Sequence, residues 1–115
     1  MKLRLGLAIA LVLFGGAVLA HSRKEGSTPA DGARLTETPE MIHMVFDAPM
    51  RITFVQLVDA NGAEMPLERE TGLDPVLEFH AEPAPLSPGL YRVDWRGLAS
   101  DGHPMQGSFS FELAE

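Results

Sequence analysis

Turn-forming residues recur about every ten positions through most of this sequence, and the segments between them show no sustained helical period. Apolar and polar residues alternate in these segments, as expected of strands that bury one face. The pattern predicts an all-β fold, namely a small antiparallel β-sandwich or barrel. The turn signals lie at residues 28–32, 48–49, 61–62, 74–75, 87–89 and 101–102.

Five segments show the alternation most clearly. In the fourth, Tyr91, Val93 and Trp95 share one face, and charged residues occupy the other. The proline-rich segment 82–89 is predicted to be a connecting loop, because proline is excluded from sheet interiors. The predicted strands are residues 41–46, 53–59, 76–80, 90–98 and 108–113, with a short strand soon after His21. The predicted core between two sheets is Phe46, Phe79, Tyr91, Trp95, Phe109 and Phe111.

Residues 1–20 have the pattern of a secretory signal. Lys2 and Arg4 precede an apolar run, and residues 18–20 (VLA) offer side chains of small or moderate size at the positions that a signal peptidase recognises. The alternative is an uncleaved membrane anchor, but the run is shorter than the roughly 20 apolar residues that a span prefers. We therefore predict a signal peptide at 1–20, and an exported domain at 21–115 that has no membrane span.

Composition excludes several classes of protein. There are no cysteines, which rules out disulfide scaffolds, zinc knuckles, iron–sulfur clusters and thiol catalysis. The chain carries 9 Lys+Arg against 16 Asp+Glu, and this net charge of -7 argues against a nucleic-acid partner. Any metal ion must be bound by His, Met, Asp or Glu.

His21 gains a special chemistry if cleavage occurs after Ala20. It then offers its α-amine and its imidazole Nδ1 from one residue, and the two can chelate a metal. Such nitrogen donors suit Cu(II), which prefers tetragonal N/O coordination and has the highest affinity of the divalent series. The alternative interpretation is that a histidine merely follows the cleavage site.

A second candidate is the segment 100–104, which reads SDGHP. Asp101 and His103 are two residues apart, so in an extended segment they project to the same side. Pro104 discourages a helix here. With His21 these residues supply three nitrogens and one oxygen, enough for a four-coordinate Cu(II) plane. The alternative is a hairpin turn with polar residues.

Several ordered segments carry a family resemblance. Residues 27–32 (STPADG) are similar to S-x-P-A-x-G, and residues 46–49 (FDAP) to F-S-E-P. Residues 86–96 (LSPGLYRVDWR) resemble L-x-P-G-x-Y-x-V-x-W-R, and residues 101–111 resemble D-G-H-P-x-x-G-x-F-x-F. With His21, they make the chain resemble the CopC family of periplasmic copper-binding proteins. The resemblance implies a sandwich of cupredoxin-like or immunoglobulin-like Greek-key topology with Cu(II) at one end.

The resemblance also implies the ligands of one Cu(II) per chain, namely His21, Asp101 and His103. Some family members add an acid from the F-S-E-P segment. Counting residues from His21 places Asp47 at the position of that acid. Aligning Phe46 and Pro49 with the first and last residues of F-S-E-P places Ala48 there instead. We keep Asp47 as a candidate fourth or axial ligand. Glu25 is another candidate acid, but we prefer to interpret it as a solvated surface residue.

Some family members bind Cu(I) through a methionine-rich loop, since soft thioethers suit that ion. The corresponding stretch here, residues 57–77, contains only Met65. Met41 and Met44 fall on opposite faces of one strand, so we interpret such methionines as packing residues. Met105 adjoins the predicted copper turn. We predict no dedicated Cu(I) site, and we interpret His43 and His80 as solvated surface histidines.

The resulting hypothesis is a periplasmic Cu(II)-binding protein that buffers or delivers copper and is not an enzyme. The resemblance suggests an inner-membrane copper transporter as its partner. One alternative is a copper monooxygenase with an N-terminal histidine brace, although Asp101 would fill the equatorial position that such enzymes leave for oxygen. The other is a metal-free extracytoplasmic interaction domain.

Overall fold

The computed structural model describes residues 24–69 and 72–115, and every regular element within them is a β-strand. The all-β prediction is therefore confirmed. The proposed signal segment and His21 lie outside the described residues. Within the described part, no helix has the length and apolar character needed to cross a membrane. The strands are β1 (Lys24–Thr28), β2 (Ala33–Leu35), β3 (Ile42–Asp59), β4 (Glu64–Met65), β5 (Leu67–Arg69), β6 (Val76–Pro83), β7 (Gly89–Ala99) and β8 (Pro104–Leu113).

The 18-residue strand β3 organises the sheet. Hydrogen-bonded neighbours follow the order β2-β8-β7-β3-β6-β5, and β1 and β4 also pair with β3. The part of β3 before Met50 pairs with β1 and β6, whereas the part from Met50 onward pairs with β7 and β4. Since one strand serves both sets of partners, the sheet curls into two layers that face each other.

The prediction of separate strands at 41–46 and 53–59 with a turn at 48–49 was wrong. Strand β3 continues through Pro49, and its register to β6 shifts between Val45 and Met50. Proline lacks the N–H that a regular ladder requires, and it is tolerated where the pairing is irregular. The residue that signalled a turn therefore marks the point where β3 changes partners.

The core lies between the two layers, as the alternation predicts. Tyr91, Val93 and Trp95 all point inward from β7, and all are buried. Phe46 meets Trp95 edge-on, with ring centroids 5.5 Å apart. Met44 and Met50 are fully buried, which confirms their interpretation as packing residues. All six predicted core aromatic residues are buried: Phe46, Phe79, Tyr91, Trp95, Phe109 and Phe111.

Trp95 packs over a glycine on the neighbouring strand. Trp95 and Gly107 are direct partners in the β7–β8 ladder, and a Cβ at Gly107 would lie 3.0 Å from the indole Nε1. The Nε1–H is buried and has no hydrogen-bond acceptor among the described residues. The indole therefore contributes to stability through its packing.

Smaller elements depart from the predictions. Strand β2 runs parallel to β8, so the sheet is not purely antiparallel. Strand β6 extends to Pro83, which pairs with Leu67 of the short strand β5, so the segment 82–89 begins within a strand. In β6, Leu77 is 53% exposed, although Phe79 two residues later is buried. Strands of two or three residues, such as β2, β4 and β5, are too short to show an alternating pattern.

Candidate metal centre

A tight turn connects β7 to β8 and carries two of the predicted ligands. The amide of Gly102 donates to the carbonyl of Ala99 at 2.8 Å, and the amide of Ala99 donates to the carbonyl of His103 at 2.8 Å. Gly102 has a φ of 90°, a backbone conformation that glycine adopts without a steric penalty. The turn therefore holds Asp101 and His103 at one end of the sheet.

The side chains of Asp101 and His103 are in direct contact. His103 Nδ1 lies 2.9 Å from Asp101 Oδ2, and the backbone amide of His103 donates to Asp101 Oδ1 at 3.1 Å. The contact with the carboxylate fixes the orientation of the imidazole ring. Both side chains are solvent-accessible, at 61% for His103 and 36% for Asp101. The pair is thus an exposed and oriented donor set.

Asp47 lies near the same end of the β3–β7 ladder. That ladder ends at the Met50–Ala99 pair. Because the strands are antiparallel, Asp47, which precedes Met50 on β3, and the turn, which follows Ala99 on β7, both lie beyond this end. Asp47 is exposed, whereas Ala48 is half-buried. Within residues 24–69 and 72–115, Asp47 does not form a group with Asp101 and His103 in which all donor atoms lie within 4.8 Å. The structure therefore brings together two predicted ligands and leaves Asp47 farther away.

The first described strand leads toward this end. Strand β1 runs antiparallel to β3, and Lys24 pairs with Phe46, the neighbour of Asp47. The register shifts between Lys24 and Gly26, and Glu25 is exposed, in keeping with its interpretation as solvated surface. His21 lies outside the described residues.

Another group of potential ligands was not recognised from the sequence. His43 Nε2 lies 3.0 Å from Glu78 Oε1, and His80 Nε2 lies 4.0 Å from the same oxygen. The two imidazole rings stack with centroids 4.5 Å apart and an angle of 6° between their planes. The alternation did place both histidines on outer faces. Their contact depends on the pairing of β3 with β6, which are not consecutive in the chain, and no local signal reveals that pairing.

The remaining methionines do not surround the turn. Met105 is half-buried and packs against the core, as does Met65, and both positions suit packing residues. Met41, just before β3, is 36% exposed, so its interpretation as a packing residue was wrong.

The known proteins to which this chain is similar share one family and one fold. The CopC domain family matches residues 24–114. Copper resistance protein C from Escherichia coli is 31% identical over 120 residues, covering 89% of this chain and 94% of the relative. Copper transport protein CutJ from Bacillus subtilis (strain 168) is 24% identical over 116 residues, covering 95% of this chain but 21% of that protein. The crystal structure of CopC from Methylosinus trichosporium OB3b superposes with a TM-score of 0.72 at 22% identity, covering 82% of this chain and 94% of that one.

Proposed function

The chain belongs to the CopC domain family, and from this premise we propose that it binds Cu(II) in the periplasm and buffers or delivers it without catalysing a reaction. The family match spans almost all described residues, and the Escherichia coli relative is named for copper resistance. The observation that carries the proposal is the contact between Asp101 and His103, which orients an exposed imidazole for a metal ion.

Three residues supply the proposed equatorial donors. His103 contributes a nitrogen of its exposed imidazole. Asp101 contributes an oxygen of the carboxylate that lies beside that imidazole. His21 contributes its α-amine and Nδ1. Three nitrogens and one oxygen suit the tetragonal preference of Cu(II).

The direction of β1 supports His21 as a ligand at the turn. His21 is three residues before Lys24, and three residues span at most about 10 Å. Lys24 pairs with Phe46, near the end of the ladder where Asp101 and His103 lie. Cleavage after Ala20 would create the free amine at the position where the site needs it.

Asp47 is the acid that we propose for the weaker axial position. It is exposed and near the same end of the sheet, while the alternative position is occupied by Ala48, which has no donor. An axial ligand to Cu(II) is held at longer range than an equatorial one. Because Asp47 forms no close group with Asp101 and His103 among the described residues, its exposed side chain would have to rotate to reach the ion.

The exposure of the site suits transfer of the ion to a partner. In CutJ, the region similar to this chain makes up 21% of a longer protein that is named for copper transport. We propose an inner-membrane copper transporter as the partner, reached from the periplasm after export through the segment 1–20. The bound copper is cargo, and one ion per chain fills the site.

The experiment that tests this function changes only the N-terminus. The mature protein beginning at His21 is compared with the same chain carrying one additional residue before His21. We expect the extended protein to bind Cu(II) far more weakly, with fewer strongly coupled nitrogens in its electron paramagnetic resonance spectrum. Zn(II) should be affected less, because it has no tetragonal preference. Equal Cu(II) affinity and an identical spectrum would refute the ligand set.

The non-enzymatic part of the proposal has its own test. The copper-loaded mature protein is incubated with oxygen or peroxide and a reductant, and consumption of the reductant is followed. We expect consumption no faster than with the His103→Ala variant under the same conditions. Faster, copper-dependent turnover by the unmodified protein would favour a monooxygenase.

A further inference from the structure

A second group of metal-ligating side chains lies on the outer face of strands β3 and β6. His43 and His80 are direct cross-strand partners, and Glu78 is two residues from His80 on the same face. The donor atoms of these three residues all lie within 4.8 Å of one another. The group thus contains two imidazoles and one carboxylate around a common point.

The backbone beneath this group is rigid. At His43, strand β3 is hydrogen-bonded on both sides, because Thr28 of β1 pairs with His43 opposite to β6. The Cα atoms of direct cross-strand partners are held about 4.5–5.5 Å apart. The ligand spacing is therefore fixed by the sheet, and only side-chain rotations remain for a metal ion to select.

The distances between the donor atoms are already close to those of a metal site, and the stacked rings must tilt apart to point both Nε2 atoms at one ion. A tetrahedral ion with bonds of about 2.0–2.1 Å needs donor atoms about 3.3 Å apart. His43 Nε2 and Glu78 Oε1 already lie 3.0 Å apart, and His80 Nε2 lies 4.0 Å from that oxygen. The side chains are 27% exposed for His43 and 38% for His80, so the stacked rings have room to splay. Water can complete the fourth position.

The surrounding charge also favours a cation. Glu68 and Glu82 are direct partners in the β5–β6 ladder, and both are exposed. Like charges directly opposite each other on a sheet repel. Glu82 is two residues beyond His80, hence on the same face, so the two carboxylates add a negative potential beside the imidazoles. A bound cation would reduce the repulsion between them.

We propose that His43, Glu78 and His80 form a second metal site, which takes a divalent transition ion such as Zn2+ or Cu2+. Imidazole and carboxylate donors suit both ions. The site is separate from the one at the β7–β8 turn. Along β3, His43 and Asp47 are four residues apart, about 13 Å in an extended strand. The second site therefore does not depend on the function proposed above.

The test uses Zn2+ and a protein in which the first site is disabled. The mature chain carrying His103→Ala is titrated with Zn2+ by isothermal calorimetry, and the imidazole signals are followed by nuclear magnetic resonance. We expect saturable binding of one Zn2+ with shifts of the His43 and His80 signals. His43→Asn, His80→Asn and Glu78→Gln should each weaken binding by about tenfold or more, since even loss of an outer-sphere partner costs about 10–100-fold.

Glu82→Gln is the matched control. It makes the same change of charge as Glu78→Gln on the same strand and face, two residues beyond His80. It should weaken binding much less than Glu78→Gln, because Glu82 contributes to the local potential but is not a ligand. The replaced side chains are partly or fully exposed, and circular dichroism verifies that each variant is folded. Absence of saturable Zn2+ binding would overturn the site. Equal weakening by Glu78→Gln and Glu82→Gln would also overturn it, because a diffuse negative potential would then explain the binding.

Discussion

Nδ1 of His103 lies 2.9 Å from Oδ2 of Asp101, and the other oxygen of that carboxylate accepts the backbone amide of His103. One acidic side chain thus fixes both the main chain and the ring of the histidine that follows it by two residues. In the proposed site, Asp101 would both orient the imidazole and ligate the ion, whereas His103 would contribute the imidazole alone. The two residues are therefore expected to respond differently to substitution.

Replacing His103 by Ala should weaken Cu(II) binding by orders of magnitude, because an equatorial imidazole is lost. The stability of the metal-free protein should change by less than about 0.5 kcal/mol, since the side chain is 61% exposed on a turn. Competition titration with a copper chelator and thermal unfolding measure the two quantities. Unchanged copper affinity would remove His103 from the site.

Replacing Asp101 by Asn should reduce Cu(II) affinity by at least about 10–100-fold, because the variant loses a charged ligand as well as the partner that orients His103, and the second loss alone typically costs that much. The amide oxygen can still accept the backbone N–H of His103, so the turn should persist. Glu25→Gln makes the same change of charge at an exposed position of β1 and serves as the control. If both variants lost affinity equally, net charge and not position would be responsible.

Trp95→Ala should lower the free energy of unfolding by about 3–5 kcal/mol, because it opens a cavity between the layers. This is a large share of the roughly 5–15 kcal/mol that stabilises a typical domain. Trp95→Phe should cost much less, since the indole Nε1–H has no acceptor to lose among the described residues. Urea denaturation distinguishes the two. Equal losses would show that the Nε1–H makes a stabilising contact.

Gly97→Ala should destabilise the fold by about 1–3 kcal/mol, in the range of overpacked cores. A Cβ at Gly97 would lie 2.7 Å from the backbone carbonyl oxygen of Arg51, and a backbone atom cannot move aside as a flexible side chain can. Gly26→Ala is the control, because nothing lies within 4 Å of its added Cβ. Thermal denaturation of both variants checks the difference. Equal stability would mean that β3 and β7 can separate locally.

The sequence was most informative where side chains alternate over many residues. Strand β7 shows this best, because Tyr91, Val93 and Trp95 are all buried as predicted. The alternation reports which face is buried and carries no information about which strand lies beside it. The parallel pairing of β2 with β8 and the extension of β6 to Pro83 depend on tertiary contacts, and they were missed for that reason.

The same distinction applies to the candidate metal ligands. Asp101 and His103 are close in the chain, so their spacing alone predicted that they would meet. His43 and His80 are 37 positions apart, and they meet only because β3 pairs with β6. Local spacing thus identified one group of donors, and only the three-dimensional pairing revealed the other.

The continuity of β3 has a consequence for how the domain comes apart. Opening either layer removes partners from β3, and β3 also belongs to the other layer, because the same strand pairs with β1, β4, β6 and β7. Neither half can melt while the other stays intact, so unfolding should be a single cooperative transition. Amide protons along β3 should then exchange with solvent only when the whole molecule unfolds, and their protection reports its global stability.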